Sequence, residues 1–99
     1  MSEPTTADVL TDLERTLYSR LVEAPEGSYS VTLLRDNELA RRKIAEEAFE
    51  VTLELGREPV DKSRTAEEAA DLVFHLLAGL VGAGVPWDDV LEVLEHRRG

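Results

Sequence analysis

From Thr65 to Ala83 the chain is apolar around almost the whole circumference of a helix, and this segment dictates what the rest must do. Ala69, Ala70, Leu72, Val73, Phe74, Leu76, Leu77, Leu80 and Val81 leave one narrow polar stripe of Glu67, Glu68, Asp71 and His75. A helix with so little polar surface has to be covered on nearly every side. Only 99 residues are available to cover it, and a domain of that size buries a modest share of its surface. A second copy of the chain is the expected cover, with small residues such as Ala66, Ala69, Ala70, Ala78 and Gly79 allowing close approach.

The other segments also read as helices. Val9, Leu10, Leu13, Leu17 and Leu21 form one stripe on a helix expected from about Ala7 to Glu23, ended by Pro25, Glu26 and Gly27. Ser30 is the expected cap of a turn or two through Leu34. A long helix is expected from Asn37 to Leu55, with Gly56 as its C′ residue. Thr65-Ala66-Glu67-Glu68 fits a capping box that opens the apolar helix, and Gly82 and Gly84 are the expected stops. Pro86 suits the first position of a last helix reaching about Arg97, with Asp88 and Asp89 in its first turn. β-branched residues are scattered without sustained alternation, so the expected class is all-α, one bundle over residues 7–99 behind a disordered tail at 1–6.

Composition excludes several functions. The formal charge of −10 opposes nonspecific nucleic-acid binding, which needs a basic surface. With no cysteine, disulfides and thiolate metal sites are ruled out. No stretch reads as a bilayer span and the start does not read as a signal peptide, so a cytoplasmic protein without a membrane partner is expected. There is no glycine-rich phosphate loop, no HExxH and no nucleophile elbow.

The acids themselves fall into two groups, Glu46-Glu47-x-x-Glu50 and Glu68-x-x-Asp71. At roughly 100° per residue, Glu46, Glu47, Glu50 and Glu54 share an arc bracketed by apolar residues on both sides, with Phe49, Leu53 and Leu39 beyond it. Packing that arc against the Glu68–Asp71 stripe places four or five carboxylates around one cavity. Such a cluster is costly without a cation between its members. An oxygen-only donor set favours Mg²⁺, with Mn²⁺ as a substitute, over zinc. His75 reads as a packed or hydrogen-bonded neighbour rather than a ligand. A carboxylate-held Mg²⁺ ordinarily takes substrate phosphates as further ligands, and a spare Glu can accept a proton from water. Lys43, Arg41, Arg42 and Arg64 are the cations near enough in sequence to hold phosphates; each reads equally well as a surface ion pair.

Lys43-Ile44-Ala45-Glu46-Glu47-Ala48-Phe49-Glu50-Val51, followed by Glu68-Ala69-Ala70-Asp71-Leu72-Val73-Phe74-His75-Leu76-Leu77, resembles the phosphoribosyl-ATP pyrophosphohydrolase family. The stretches Pro25 to Leu34, with its Ser28-Tyr29 pair, and Gly84 to Leu91 are similar to it as well, so that nearly all of Leu10 to Arg98 is covered. The acidic motif alone is shared across the MazG-like all-α nucleotide pyrophosphohydrolases. The resemblance implies a MazG-like bundle completed by homodimerisation, and Mg²⁺-dependent hydrolysis of phosphoribosyl-ATP to phosphoribosyl-AMP and pyrophosphate, the second step of histidine biosynthesis. It implies Glu47, Glu50, Glu68 and Asp71 as metal ligands, with Glu46 a further ligand or base in a catalytic group of Glu46, Glu47 and Glu50. Lys43, Arg42 and Arg64 are the expected substrate-binding cations. Ala45, Phe74 and Asn37 depart from the residues common in the family but remove no carboxylate. Relatives are often fused to a cyclohydrolase, so a separate cyclohydrolase is an expected partner. Two other readings stand beside this one: a house-cleaning nucleoside triphosphate pyrophosphatase, and a non-catalytic acidic module that binds a protein.

Overall fold

Five helices make up the computed structural model, which describes residues 9–99: α1 (Val9–Glu23), α2 (Tyr29–Arg35), α3 (Asn37–Leu55), α4 (Lys62–Ala83) and α5 (Trp87–Arg97). Among the described residues there is no strand, and the all-α class holds. The expected tail at 1–6 and the expected first helical residues, Ala7 and Asp8, lie outside the described residues.

The helix ends follow the side chains that satisfy their unpaired backbone groups. α2 begins at Tyr29 because Ser28, not Ser30, is its cap, its Oγ accepting from the Val31 N–H at 3.4 Å. Asp36 caps α3 by accepting from the Leu39 N–H at 3.0 Å. α4 starts a turn earlier than the Thr65 capping box implies. The Asp61 carboxylate accepts from the Arg64 N–H at 3.1 Å, and Thr65 instead turns its hydroxyl back to the Asp61 carbonyl at 2.7 Å. Gly56 ends α3 with an ordinary right-handed φ of −83°, so it is not the left-handed stop expected of it. That role belongs to Gly84 at the end of α4, whose φ is +76°. Pro86 is the cap of α5 rather than its first helical residue, and it has no side-chain acceptor. Glu14 of α1 supplies one across the chain, its Oε2 accepting from the Trp87 N–H at 2.8 Å.

Gly82 lies inside α4, not at its end, and packing explains it. A Cβ there would stand 2.6 Å from the Leu34 carbonyl oxygen, so α2 and α4 touch backbone to backbone. Around this contact lies the core of Leu17, Leu33, Leu34, Leu77, Ala78 and Val81, flanked by half-buried Leu13, Leu39, Phe74 and Trp87. Each fully buried leucine contributes about 2 kcal/mol. α1 and α2 thus cover the second half of α4. α3 runs antiparallel along most of the length of α4, since Arg64 meets Glu54 near one end while Gly79 lies against Ile44 and Ala40 near the other.

One chain does not cover all its apolar surface. Phe49 and Leu53 on α3 are 62% and 55% exposed. No residue of α5 is buried, and Leu91, Val93 and Leu94 face outward. Leu72, Val73 and Leu76 of α4 are only half-buried. Among the described residues no single helix is long and apolar enough to cross a membrane.

Candidate metal centre

The α3–α4 hairpin brings one carboxylate oxygen from each of Glu47, Glu50 and Glu68 within 4.8 Å of one another. Glu47 points inward and is 9% exposed, Glu68 is half-buried and Glu50 opens to solvent. Glu47 Oε2 and Glu68 Oε2 are buried and accept no hydrogen bond from the protein. Buried acceptors without donors are rare and costly. A hard cation satisfies all three carboxylates at once, so the donor set fits the expected metal. Asp71 stands outside this trio, one turn further along α4, close enough for its charge to act on Glu68. Glu46 is also outside it: its carboxylate is half-exposed and pairs with Lys43 Nζ at 3.3 Å and Arg42 Nε at 4.0 Å.

Repulsion within the cluster is visible at Glu68, whose carboxyl is held above the usual carboxylate range. The largest cause is the hydrogen bond it shares with Glu50 when protonated, followed by lost hydration and the charges of Glu50, Asp71 and Glu47. Because the folded value is the higher one, this strain is absent below the unfolded pKa and fully present above the folded one. The metal-free protein should therefore lose stability as pH rises through the Glu68 titration. Carbon-detected NMR titration should find the Glu68 carboxyl raised, and Glu50→Gln should return it toward its ordinary range. A Glu68 carboxyl that titrates normally in the metal-free wild type contradicts the geometry.

The expected cations are spread over the hairpin. Lys43 is half-buried, 4.0 Å from Glu47, and its ammonium is pushed above the ordinary lysine range, chiefly by the hydrogen bond to Glu46. Arg64 shares a cleft of about 270 Å³ with Glu50 and Glu68. Arg42 lies apart from that cleft, lining with Arg41, Asn37 and Glu38 a shallow groove near the start of α3. His75 is buried and makes two hydrogen bonds. Its Nδ1 faces the Asp71 carbonyl at 2.7 Å, which can only accept, so Nδ1 carries the proton. Its Nε2 pairs with the Tyr29 hydroxyl at 2.9 Å. α2 is thereby tied to the backbone of Asp71.

Two neighbours were not expected at the site. Glu54 is 4% exposed and sits between Arg57 and Arg64, and Arg57 and Leu53 complete the lining of the Arg64 cleft. Glu54 lies on the acidic arc already evident in the sequence. Arg57, just past the helix end, is signalled only by its i,i+3 spacing from Glu54.

An all-α hairpin whose cleft holds Glu50 and Glu68, two of the three converging carboxylates, together with Arg57 and Arg64 suits a protein of the phosphoanhydride-hydrolase class. The chain belongs to the phosphoribosyl-ATP pyrophosphohydrolase family, whose sequence model matches residues 10–98. It is 40% identical over 94 residues to a phosphoribosyl-ATP pyrophosphatase of Metallosphaera sedula, covering 91% of this chain and 96% of that one. It is 39% identical over 90 residues to a histidine biosynthesis bifunctional protein of Bacillus subtilis, covering 90% of this chain and 42% of the relative. A histidine biosynthesis trifunctional protein of Kluyveromyces lactis is 46% identical over 78 residues, which are 79% of this chain and 9% of the relative. The chain therefore spans nearly all of a stand-alone relative and less than half of the multifunctional ones.

Proposed function

We propose that this chain is a cytoplasmic, Mg²⁺-dependent enzyme that hydrolyses phosphoribosyl-ATP to phosphoribosyl-AMP and pyrophosphate, the second step of histidine biosynthesis. The observation that carries this reading is the trio of carboxylates converging within 4.8 Å, with buried oxygens that no protein donor reaches. Glu47, Glu50 and Glu68 would hold the metal, with Asp71 adding negative charge one turn away. When bound, the ion polarises phosphoryl oxygens and offsets the repulsion between the acidic wall and a polyphosphate.

The remaining work belongs to side chains. Glu46 is engaged by Lys43 and Arg42, whereas Glu50 is exposed and has no cation within ion-pair distance among the described residues. Glu50, holding the metal through one oxygen, would keep its second oxygen free to take the proton of the attacking water, with Glu46 the other expected base. The water oxygen bonds to phosphorus as the bond to the α–β bridging oxygen breaks, and that oxygen leaves with one of the two products. Lys43 and Arg64 grip the phosphates from either end of the trio, and Arg42 would serve a more distant part of the substrate.

Turnover of phosphoribosyl-ATP should exceed that of deoxynucleoside triphosphates, and Mg²⁺ should raise the melting temperature. Equal or faster turnover of the deoxynucleotides would favour a house-cleaning pyrophosphatase instead. No turnover and no thermal response to Mg²⁺ would leave an acidic binding module. The exposed Phe49, Leu53, Leu91 and Leu94 support a homodimer, which sedimentation equilibrium should report as twice the 11.0 kDa chain mass. A separate cyclohydrolase is the partner that would consume phosphoribosyl-AMP.

A further inference from the structure

We infer that Arg57 and Arg64, held apart by the buried carboxylate of Glu54, form a clamp for the diphosphate portion of the substrate that leaves as pyrophosphate. This rests on the hydrolase reading above. Arg64 Nε donates to Glu54 Oε1 at 3.2 Å. Arg57 Nε lies 3.0 Å from Glu54 Oε2, yet off the hydrogen-bonding direction, so Oε2 has a charge partner and no aligned donor. Both arginine side chains are more than half exposed while the Glu54 side chain is 5% exposed. Glu54 is therefore the buried anchor, and the two guanidiniums extend from it into solvent.

Their chemistry suits phosphate. A guanidinium has five N–H donors, and anchoring through Nε leaves the two Nη groups as a planar fork. No Nη of Arg57 or Arg64 donates a hydrogen bond among the described residues. Both arginines line the same cleft as Glu50 and Glu68, two members of the carboxylate trio. A phosphate held there adjoins the proposed metal, which places it at the bond being cleaved and not at a remote end of the substrate. Two arginines against one glutamate also give this wall a net positive charge opposite an acidic one. Glu54 touches no substrate in this arrangement; it is a positioning residue.

The test is calorimetric titration of pyrophosphate at saturating Mg²⁺ into the wild type, Arg57→Ala and Arg57→Lys, with Mn²⁺ binding followed by electron paramagnetic resonance on the same samples. Arg57→Ala should bind pyrophosphate roughly tenfold more weakly or worse, the usual loss for a charge-assisted contact, with Mn²⁺ affinity retained. Arg57→Lys should recover melting temperature, because Glu54 regains its second counter-ion beside Arg64, without recovering full pyrophosphate affinity. Wild-type pyrophosphate affinity in either variant, with only the melting temperature of Arg57→Ala reduced, would make Arg57 a counter-ion and overturn the clamp. Failure of the wild type itself to bind Mn²⁺ would overturn the metal-centre reading and the clamp with it.

Discussion

Glu47→Gln should lower kcat for phosphoribosyl-ATP by on the order of 10³-fold, the scale expected when a group that stabilises developing charge is removed. Glu47 is the most buried member of the trio, and among the described residues its only cationic neighbour is Lys43 at 4.0 Å. Removing its charge therefore costs little ion pairing and relieves repulsion from Glu50 and Glu68. The metal-free variant should melt at or above the wild-type temperature, and its thermal response to Mg²⁺ should vanish. That combination separates loss of a ligand from loss of the fold. Activity within about tenfold of wild type in a folded Glu47→Gln protein would show that the converging carboxylates are not where the reaction occurs.

The largest stability effect is expected at Gly82. Helix propensity alone favours alanine inside α4 by about 1 kcal/mol. Sterics oppose it, because the new Cβ would stand 2.6 Å from the Leu34 carbonyl oxygen and 3.3 Å from the carbonyl carbon, both backbone atoms that cannot rotate away. Overpacking of this kind costs about 1–3 kcal/mol, so the clash wins or at least cancels the propensity gain. Gly82→Ala should lower the melting temperature by several degrees, given roughly 4–8 °C per kcal/mol for a chain of this size. Gly56→Ala is the internal control: φ is −83° and the nearest atoms would be 3.5 and 3.6 Å away. It should be neutral or stabilising by about 0.4–1 kcal/mol. A Gly82→Ala protein more stable than wild type would mean that α2 does not press on α4 as described.

Much of this architecture is legible from local patterns. Asn37–Leu55 has both ends where the sequence places them, because Asp36 is a strong cap and the apolar stripe stops at Leu55. The start of α4 is not, because Asp61 and Thr65 both satisfy capping chemistry and only the folded backbone decides between them. The acidic arc shows the same limit. On a wheel of about 100° per residue, Glu47 and Glu54 lie about 20° apart and Glu46 about 100° from Glu47. The arc itself is evident from the sequence, but which edge faces α4 is set by packing between helices. The inward edge carries buried Glu47 and Glu54, and Glu46 is left outside with Lys43 and Arg42. The Tyr29–His75 bond joins residues 46 apart in the chain, and no periodicity encodes it. Arg57, by contrast, pairs with Glu54 only three residues before it, while Arg64 reaches the same carboxylate from α4.

The acidic trio, Glu54 and the arginines on either side of it all come from α3, α4 and the short connection between them. The proposed centre thus occupies one continuous stretch of the chain, unlike sites stitched from opposite chain ends. Recombination can graft it onto another coding sequence without scattering its parts, provided α1 and α2, or substitutes for them, still shelter the far half of the apolar helix. This contiguity gives a physical reason why the same module occurs both alone and as a minor segment of much longer polypeptides.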